Sequence, residues 1–222
     1  MRLGAVLGER IERMRNVYVV AHPEATHHVD RLVGGWFNSQ LTQAGTIAAE
    51  SIGVALRAEI PPGSEVELYS SDLQRALQTA RIIGDLLHVA VTPDRGLREK
   101  SYGVAEGRPQ AWLEKRFIRP TAVGDRMHHD EGVPGSETKW SFATRVYDSV
   151  ERVLESSCEH QVIVTHGFAA TFVLASWIKM PIDALGYVDF QISSGSITEL
   201  RQDDAFRNRQ IVKLKDVAHL PS

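Results

Sequence analysis

The chain has 222 residues, 43% hydrophobic and 24% charged, with a formal net charge of −3, a composition suited to a globular domain that buries about 70% of its unfolded surface. A charge this close to neutral excludes a whole-chain field for nucleic acid or an anionic membrane, so a phosphate site has to be a local cluster of Arg and His. No run of about 18 apolar residues provides a transmembrane helix, and the single cysteine, Cys158, makes no internal disulfide, which points to the cytoplasm.

Residues 1–16 carry Arg2, Arg10, Arg13 and Arg15 but no long apolar core. This is not a secretory signal; it reads as an N-terminal extension ahead of a single domain over 17–222. Residues 17–21 form a short β-branched run, and a polar loop follows to Asn38. Thr42 then caps a helix whose apolar positions include Ile47, Ile52 and Leu56. Residues 65–69 read as a strand, and Ser70-Ser71-Asp72 opens a helix to about Leu87 with Leu73, Ala76, Leu77, Ala80 and Ile83 on one stripe. A third strand covers 89–92. Residues 94–108 lack periodicity, a helix starts near Pro109, and 119–135 read as a surface loop or lid. A long helix follows Ser136-Glu137 and runs to about Ser157. Cys158, flanked by Glu155 and Glu159, is expected to be inert. Strand 161–165 leads into a helix from about Phe168 to Lys179, and 186–192, 196–201 and 209–214 read as closing strands. Alternation of strands and helices predicts a three-layer α/β/α fold around a mainly parallel central sheet with a mixed edge.

Two histidines stand where strands end. His22 follows Val17-Tyr18-Val19-Val20-Ala21, and His166-Gly167 follows Gln161-Val162-Ile163-Val164-Thr165. Open α/β sheets bind ligands outside the carboxyl ends of such strands. Two imidazoles there supply a nucleophile or an acid–base pair near neutral pH. Arg75 falls in the first turn of its helix, where anions are favoured, and a guanidinium grips two phosphate oxygens at once. Glu99 lies in the aperiodic stretch. Taken singly, each has a plainer reading: a structural hydrogen-bonding His, a surface ion pair for Arg75, a pairing of Glu99 with Arg98 or Lys100.

Together these strings resemble the histidine phosphatase superfamily, the phosphoglycerate-mutase-like group. The family's Arg-His-Gly-Glu, followed by Thr or Ser, stands here as Ala21-His22-Pro23-Glu24-Ala25-Thr26. Gly35-Trp36 through Leu41-Thr42-Gln43-Ala44-Gly45 resembles its second string. Ser70 through Ala80 matches Ser-Ser-Asp-Leu-x-Arg-Ala-x-Gln-Thr-Ala without a mismatch. Leu97-Arg98-Glu99 to Glu106-Gly107, Val164-Thr165-His166-Gly167 and Ser194 to Thr198 follow in family order. The resemblance implies that His22 is the nucleophile and becomes phosphohistidine, and that Glu99 protonates the leaving alkoxide and then activates water. It implies further that Arg75 and His166, with Gly167, Thr26 and His28 nearby, hold the phosphoryl group. Phosphoryl transfer needs in-line positioning and charge stabilisation, so no metal and no cofactor are expected. His27-His28 and His128-His129 are poorly spaced for joint chelation from a strand, where neighbours point apart. The expected partner is a small-molecule phosphate ester, with a homodimer through the N-terminal arm or terminal strands as a further expectation.

The departures from the pattern fall in the first motif. Ala21 stands at the family's phosphate-binding arginine, and each lost charge-assisted bond costs about 1.5–3 kcal/mol. Three accounts remain open: an engineered replacement that traps a ligand, a natural variant in which Arg31 or a loop histidine compensates, or a chain that has left phosphatase chemistry for ligand binding or another reaction. The intact remaining motifs favour an engineered or weakened phosphatase. Pro23 removes a backbone N–H, and His28 stands where a family Asn often assists. Ser136 and Glu137 are candidates for the substrate mouth. Residues 108–135 mix five basic residues with four acids and do not show the basic clamp of the mutase branch, which favours a phosphatase over a mutase.

Overall fold

In the computed structural model, residues 14–203 and 205–221 are described. Six strands form one sheet in the order β3-β2-β4-β1-β5-β6: β1 Arg15–Ala21, β2 Val66–Ser70, β3 Val91–Pro93, β4 His160–Thr165, β5 Ile197–Gln202 and β6 Arg209–Asp216. The pairs β3–β2, β2–β4 and β4–β1 are parallel; β5 and β6 close one edge antiparallel. The α/β sheet with a mixed edge is therefore the observed architecture.

Strand alternation divides the core. Val17 and Val19 of β1 and Ile163 of β4 pack with Phe142, Phe172 and Trp177 on one face of the sheet. Those aromatic residues come from α5 (Lys139–Glu155) and α6 (Gly167–Trp177). Tyr18, Val20, Val162 and Val164 point the other way, onto Ile52, Leu56, Ala76 and Ile83. These belong to α2 (Gln43–Glu59) and α3 (Gln74–Leu87). Strands buried on both faces read as continuous apolar runs, which is why 17–21 and 161–165 stand out in the sequence. The register pairs Ala21 with Thr165. The next residue on each strand is a histidine, so parallel pairing alone sets His22 and His166 side by side at the carboxyl end of the sheet.

Several local expectations need correction. Residues 186–192 do not form a strand. Ile182–Tyr187 make a 3₁₀ turn, and Val188, Phe190 and Ile192 then pack onto the α5/α6 core as irregular chain. Their spacing by two imitates a strand, but Gln191 has φ 50°, which breaks the extended backbone. A four-residue helix, α1 (Thr26–Val29), occupies part of the expected loop. The third strand starts at Val91 rather than 89. The N-terminal extension lies outside the described residues except for its last three, of which Arg15 and Asn16 already belong to β1. A short helix, α4, covers Gln110–Glu114, and 119–135 are irregular chain. Cys158 is buried, and burial pushes its thiol up, consistent with an inert sulfur. Among the described residues no helix is long and apolar enough to cross a membrane.

The first turn of α2 fixes the chain just beyond His22. Thr42 caps the helix through its side chain, accepting from Gly45 N–H at 2.9 Å, and donates its hydroxyl to Glu24 Oε1 at 2.7 Å. A Cβ on Gly45 would lie 2.0 Å from the Glu24 carbonyl oxygen, so only glycine admits this approach. Gly45→Ala is expected to destabilise the fold by about 1–3 kcal/mol through overpacking, read as a lower urea midpoint at unchanged m-value.

Candidate active site

Outside the carboxyl ends of β1 and β4 lies a cavity of about 380 Å³. Ala21, His22, Arg75, Glu99 and Gly167 line it, and so do His27 and His28. Chain segments separated by more than 140 residues thus meet as the strand register requires.

The His22 ring is buried and its tautomer is fixed. Nδ1 lies 2.7 Å from the Pro23 carbonyl oxygen, which can only accept, so Nδ1 carries the hydrogen. Nε2 then holds the lone pair, and it accepts from Arg75 Nε at 3.0 Å. Burial, reinforced by the Arg75 charge, holds the His22 pKa well below its ordinary 6.5, which keeps the ring neutral and nucleophilic.

Arg75 is 1% exposed and is not a surface ion-pair partner. Besides His22, it donates from Nη2 to the Gly35 carbonyl at 2.7 Å and from Nη1 to the Phe37 carbonyl at 2.8 Å. These bonds take three of its five N–H donors. Burial brings its pKa down to about 10, against the opposing pull of Glu99 and Glu106; it remains a cation at neutral pH.

His166 sits behind His22 rather than on the cavity wall. It is 1% exposed, and the two rings meet edge to face with centroids 5.0 Å apart. Its Nε2 is hydrogen-bonded with Ser71 Oγ at 2.8 Å, while its Nδ1 is buried without a hydrogen-bond partner. Burial and Arg75 lower its pKa well below 6.5. Gly167 opens α6, so the first turn of that helix faces the cavity.

Glu99 pairs with neither neighbour. Arg98 forms a bidentate pair with Asp72 at 2.6 and 2.7 Å, and Lys100 is held by Glu131 and Ser136. The Glu99 carboxylate instead accepts from Lys100 N at 2.9 Å and from Phe168 N, in the first turn of α6, at 3.1 Å. Burial outweighs these bonds and the Arg75 charge, and the pKa rises above its ordinary 4.5, which favours a carboxyl able to give a proton.

The first-motif loop differs most from expectation. Thr26 begins α1 and does not line the cavity; its N–H is tied to the Gln40 carbonyl at 2.9 Å. The helical turn sends the next two side chains inward instead. His27 and His28 are not splayed as on a strand, because they lie on α1, and their ring centroids are 4.0 Å apart. His28 stacks on His22 with an interplanar angle of 13° and a centroid distance of 5.6 Å. Its Nδ1 accepts from Ala25 N–H at 3.2 Å, so in the neutral ring Nε2 carries the hydrogen. His27 Nδ1 lies 2.7 Å from Ser39 Oγ, and burial lowers its pKa to about 3. Arg31 does not line this cavity; it borders a neighbouring groove with Asp30 and Glu114. Among the described residues Arg75 is thus the one guanidinium at the cavity wall, with Ala21 at the position of the family's other one and the His27 and His28 imidazoles on the same wall.

Ser136 and Glu137 do not reach the mouth either. Glu137 pairs with Arg145 at 2.8 Å and accepts from Ser101 N–H at 2.8 Å. Sequence reading passed over Arg145, which lies within an ordinary amphipathic stretch. It also passed over Tyr102, Phe168 and Ile192 as cavity walls, since their apolar character reads as core.

The model of the histidine phosphatase superfamily (branch 1) matches residues 17–216. The chain is 28% identical over 210 residues to a protein of Yersinia pestis (strain Pestoides F) named "Probable phosphoglycerate mutase GpmB", covering 86% of this chain and 94% of that protein. Its fold matches that of Bacillus stearothermophilus YhfR, with a TM-score of 0.75 at 24% identity over 93% of this chain and all of the other. It also matches a mycobacterial glucosyl-3-phosphoglycerate phosphatase, with a TM-score of 0.73 at 21% identity over 91% and 99% of the two chains. With that family match spanning the whole sheet and both histidine-bearing strand ends, the chain belongs to branch 1 of the histidine phosphatase superfamily.

Proposed function

We propose that the protein hydrolyses a small-molecule phosphate monoester through a phosphohistidine on His22 Nε2. The observation that carries this reading is the fixed tautomer: the Pro23 carbonyl claims Nδ1–H and leaves Nε2 as the basic atom inside the cavity. Arg75 Nε–H now occupies that lone pair. In-line attack requires this N–H to pass from the ring nitrogen to a phosphoryl oxygen of the arriving ester. His22 Nε2 then forms the N–P bond as the P–O ester bond breaks, and the Glu99 carboxyl gives its proton to the leaving alkoxide. In the second half, the Glu99 carboxylate takes a proton from water, the oxygen attacks phosphorus, and the N–P bond breaks. Arg75 balances the charge on the phosphoryl oxygens, with the Nε2–H of His28 as a further donor. Positioning and charge suffice for this transfer, so the reading calls for no metal or cofactor.

Ala21 favours a second reading, in which the chain binds a phospholigand without turning it over. Restoring the guanidinium separates the two. Under hydrolysis, Ala21→Arg raises kcat/KM by about tenfold or more, since each charge-assisted bond gained in the transition state is worth more than about 1.4 kcal/mol. His22→Ala abolishes turnover together with an acid-labile, alkali-stable label from a ³²P-ester. Absence of turnover and label in both the wild-type and Ala21→Arg proteins, across a broad ester panel, would leave only binding.

The two titrating groups set a pH profile. Attack needs neutral His22, whose pKa lies well below 6.5, so activity persists on the acid side of pH 6.5. The leaving group needs protonated Glu99, whose pKa lies above 4.5, so this carboxyl governs the alkaline limb of kcat/KM. Glu99→Gln is expected to remove that limb.

A further inference from the structure

We infer that Arg145 is the positioning residue for Glu99, acting with Trp36 to hold the backbone that aims the carboxyl; this rests on the reading of Glu99 as general acid. Residues 95–101 contain one 3₁₀ turn, Arg95–Leu97, and no strand, so their carbonyls lack a regular ladder. Buried carbonyls must find donors, and here a single guanidinium from α5 serves three of them. Arg145 Nη1 donates to the Gly96 and Arg98 carbonyls at 2.9 and 3.0 Å, and Nη2 donates to the Glu99 carbonyl at 3.2 Å. Thr165 Oγ1 takes the Leu97 carbonyl at 2.7 Å. The Glu99 carbonyl receives a second donor, Trp36 Nε1–H, at 2.7 Å.

The guanidinium is itself fixed. Its Nε and Nη2 meet both oxygens of Glu137 at 2.9 and 2.8 Å, and its plane packs over the Trp36 and Phe142 rings. Glu137 also accepts the Ser101 N–H, so one ion pair grips the chain on both sides of Glu99. Arg98 and Lys100 are held elsewhere, by Asp72 and by Glu131, and exert no competing pull on the carboxyl. The arrangement needs the planar fork of arginine; a lysine ammonium is a point charge and cannot serve Glu137 and three carbonyls together. A displacement of about 1 Å at a reacting group can cost on the order of 10²-fold in rate.

A proton donor matters only for a leaving group that needs the proton. Three variants, Glu99→Gln, Arg145→Lys and Trp36→Phe, are therefore compared on benzyl phosphate and on p-nitrophenyl phosphate, whose phenolate departs unprotonated. Glu99→Gln is expected to lose about 10²-fold or more in kcat/KM, which reports only the steps up to departure of the leaving group, on the benzyl ester and far less on the nitrophenyl ester. Arg145→Lys is expected to lose about 10- to 100-fold in kcat/KM on the benzyl ester and less than about threefold on the nitrophenyl ester, and to shift the alkaline limb of kcat/KM on the benzyl ester. Trp36→Phe deletes one N–H and keeps a ring, so it should give a smaller loss of the same pattern, and it carries the comparison if Arg145→Lys does not fold. Equal losses on both esters, or no loss, in the Arg145 and Trp36 variants while Glu99→Gln discriminates between the esters would overturn the positioning role alone. A Glu99→Gln variant that does not discriminate overturns the general-acid reading, and the positioning role with it.

Discussion

The electrostatics of this site depend on a buried guanidinium that pairs directly with no carboxylate among the described residues. Arg75 sits at 1% exposure against an imidazole nitrogen and two carbonyl oxygens. Uncompensated, such a charge would be costly to bury. Partial compensation comes from dipoles: the carbonyls of Gly35 and Phe37 and the lone pair of His22. The remaining positive potential spreads through the cavity. His22, His27, His28 and His166 all have lowered pKa values, and burial and Arg75 are among the causes in each case. Burial therefore holds the four imidazoles neutral, and Arg75 reinforces it.

The sheet makes that meeting unavoidable. β1 and β4 are the innermost parallel pair, buried on both faces, and Ala21 faces Thr165 across the ladder. A slip of one residue would turn Val17 and Val19 onto the α2/α3 face and destroy both core clusters, so the core packing that stabilises the fold also fixes the histidines. The helices after the two strands lie on opposite faces, α2 against Tyr18 and Val20, α6 against Val17 and Val19. They leave room between them outside the strand ends. Glu99 has no such strand behind it, which is why its segment depends on side chains from α5 and β4 for its hydrogen bonds.

The elements legible in the sequence are those in which a periodic pattern and a burial pattern coincide: the valine runs of β1 and β4, the stripe of α3, the long α5. The segment 186–192 shows where this fails. Val188, Phe190 and Ile192 alternate because they bury against helices, and periodicity alone does not say whether the burying surface is a sheet neighbour. The site divides the same way. His22, Arg75 and Gly167 reach the cavity because strand ends and helix starts are local features, whereas Glu99 reaches it from irregular chain and is marked only by its motif. Thr26 misses it and His27 enters it because a four-residue helix rotates the loop by about 100° per residue, and nothing in Ala25-Thr26-His27-His28 announces that helix. Arg145 is invisible for a different reason: its role is to satisfy carbonyls nearly fifty residues away, and backbone acceptors leave no mark in a sequence.

Replacing a guanidinium by imidazoles changes the kind of charge the seat offers. A guanidinium is a permanent cation, whereas the imidazoles here are neutral until something outweighs burial and Arg75. A phosphoryl dianion does so, since an opposite charge within about 4–6 Å favours the protonated ring. His28 is the imidazole best placed to respond: it is exposed to solvent at the cavity rim, stacks on His22, and is raised by Glu24 even as burial and Arg75 lower it. His27, tied to Ser39 and more deeply buried, is held down more strongly. On the proposed reading, the positive charge at position 21 in the family pattern becomes conditional, created by the ligand it serves. Such a seat binds the dianion less tightly as pH rises, while an arginine at position 21 would supply a charge that does not titrate and so weaken that dependence.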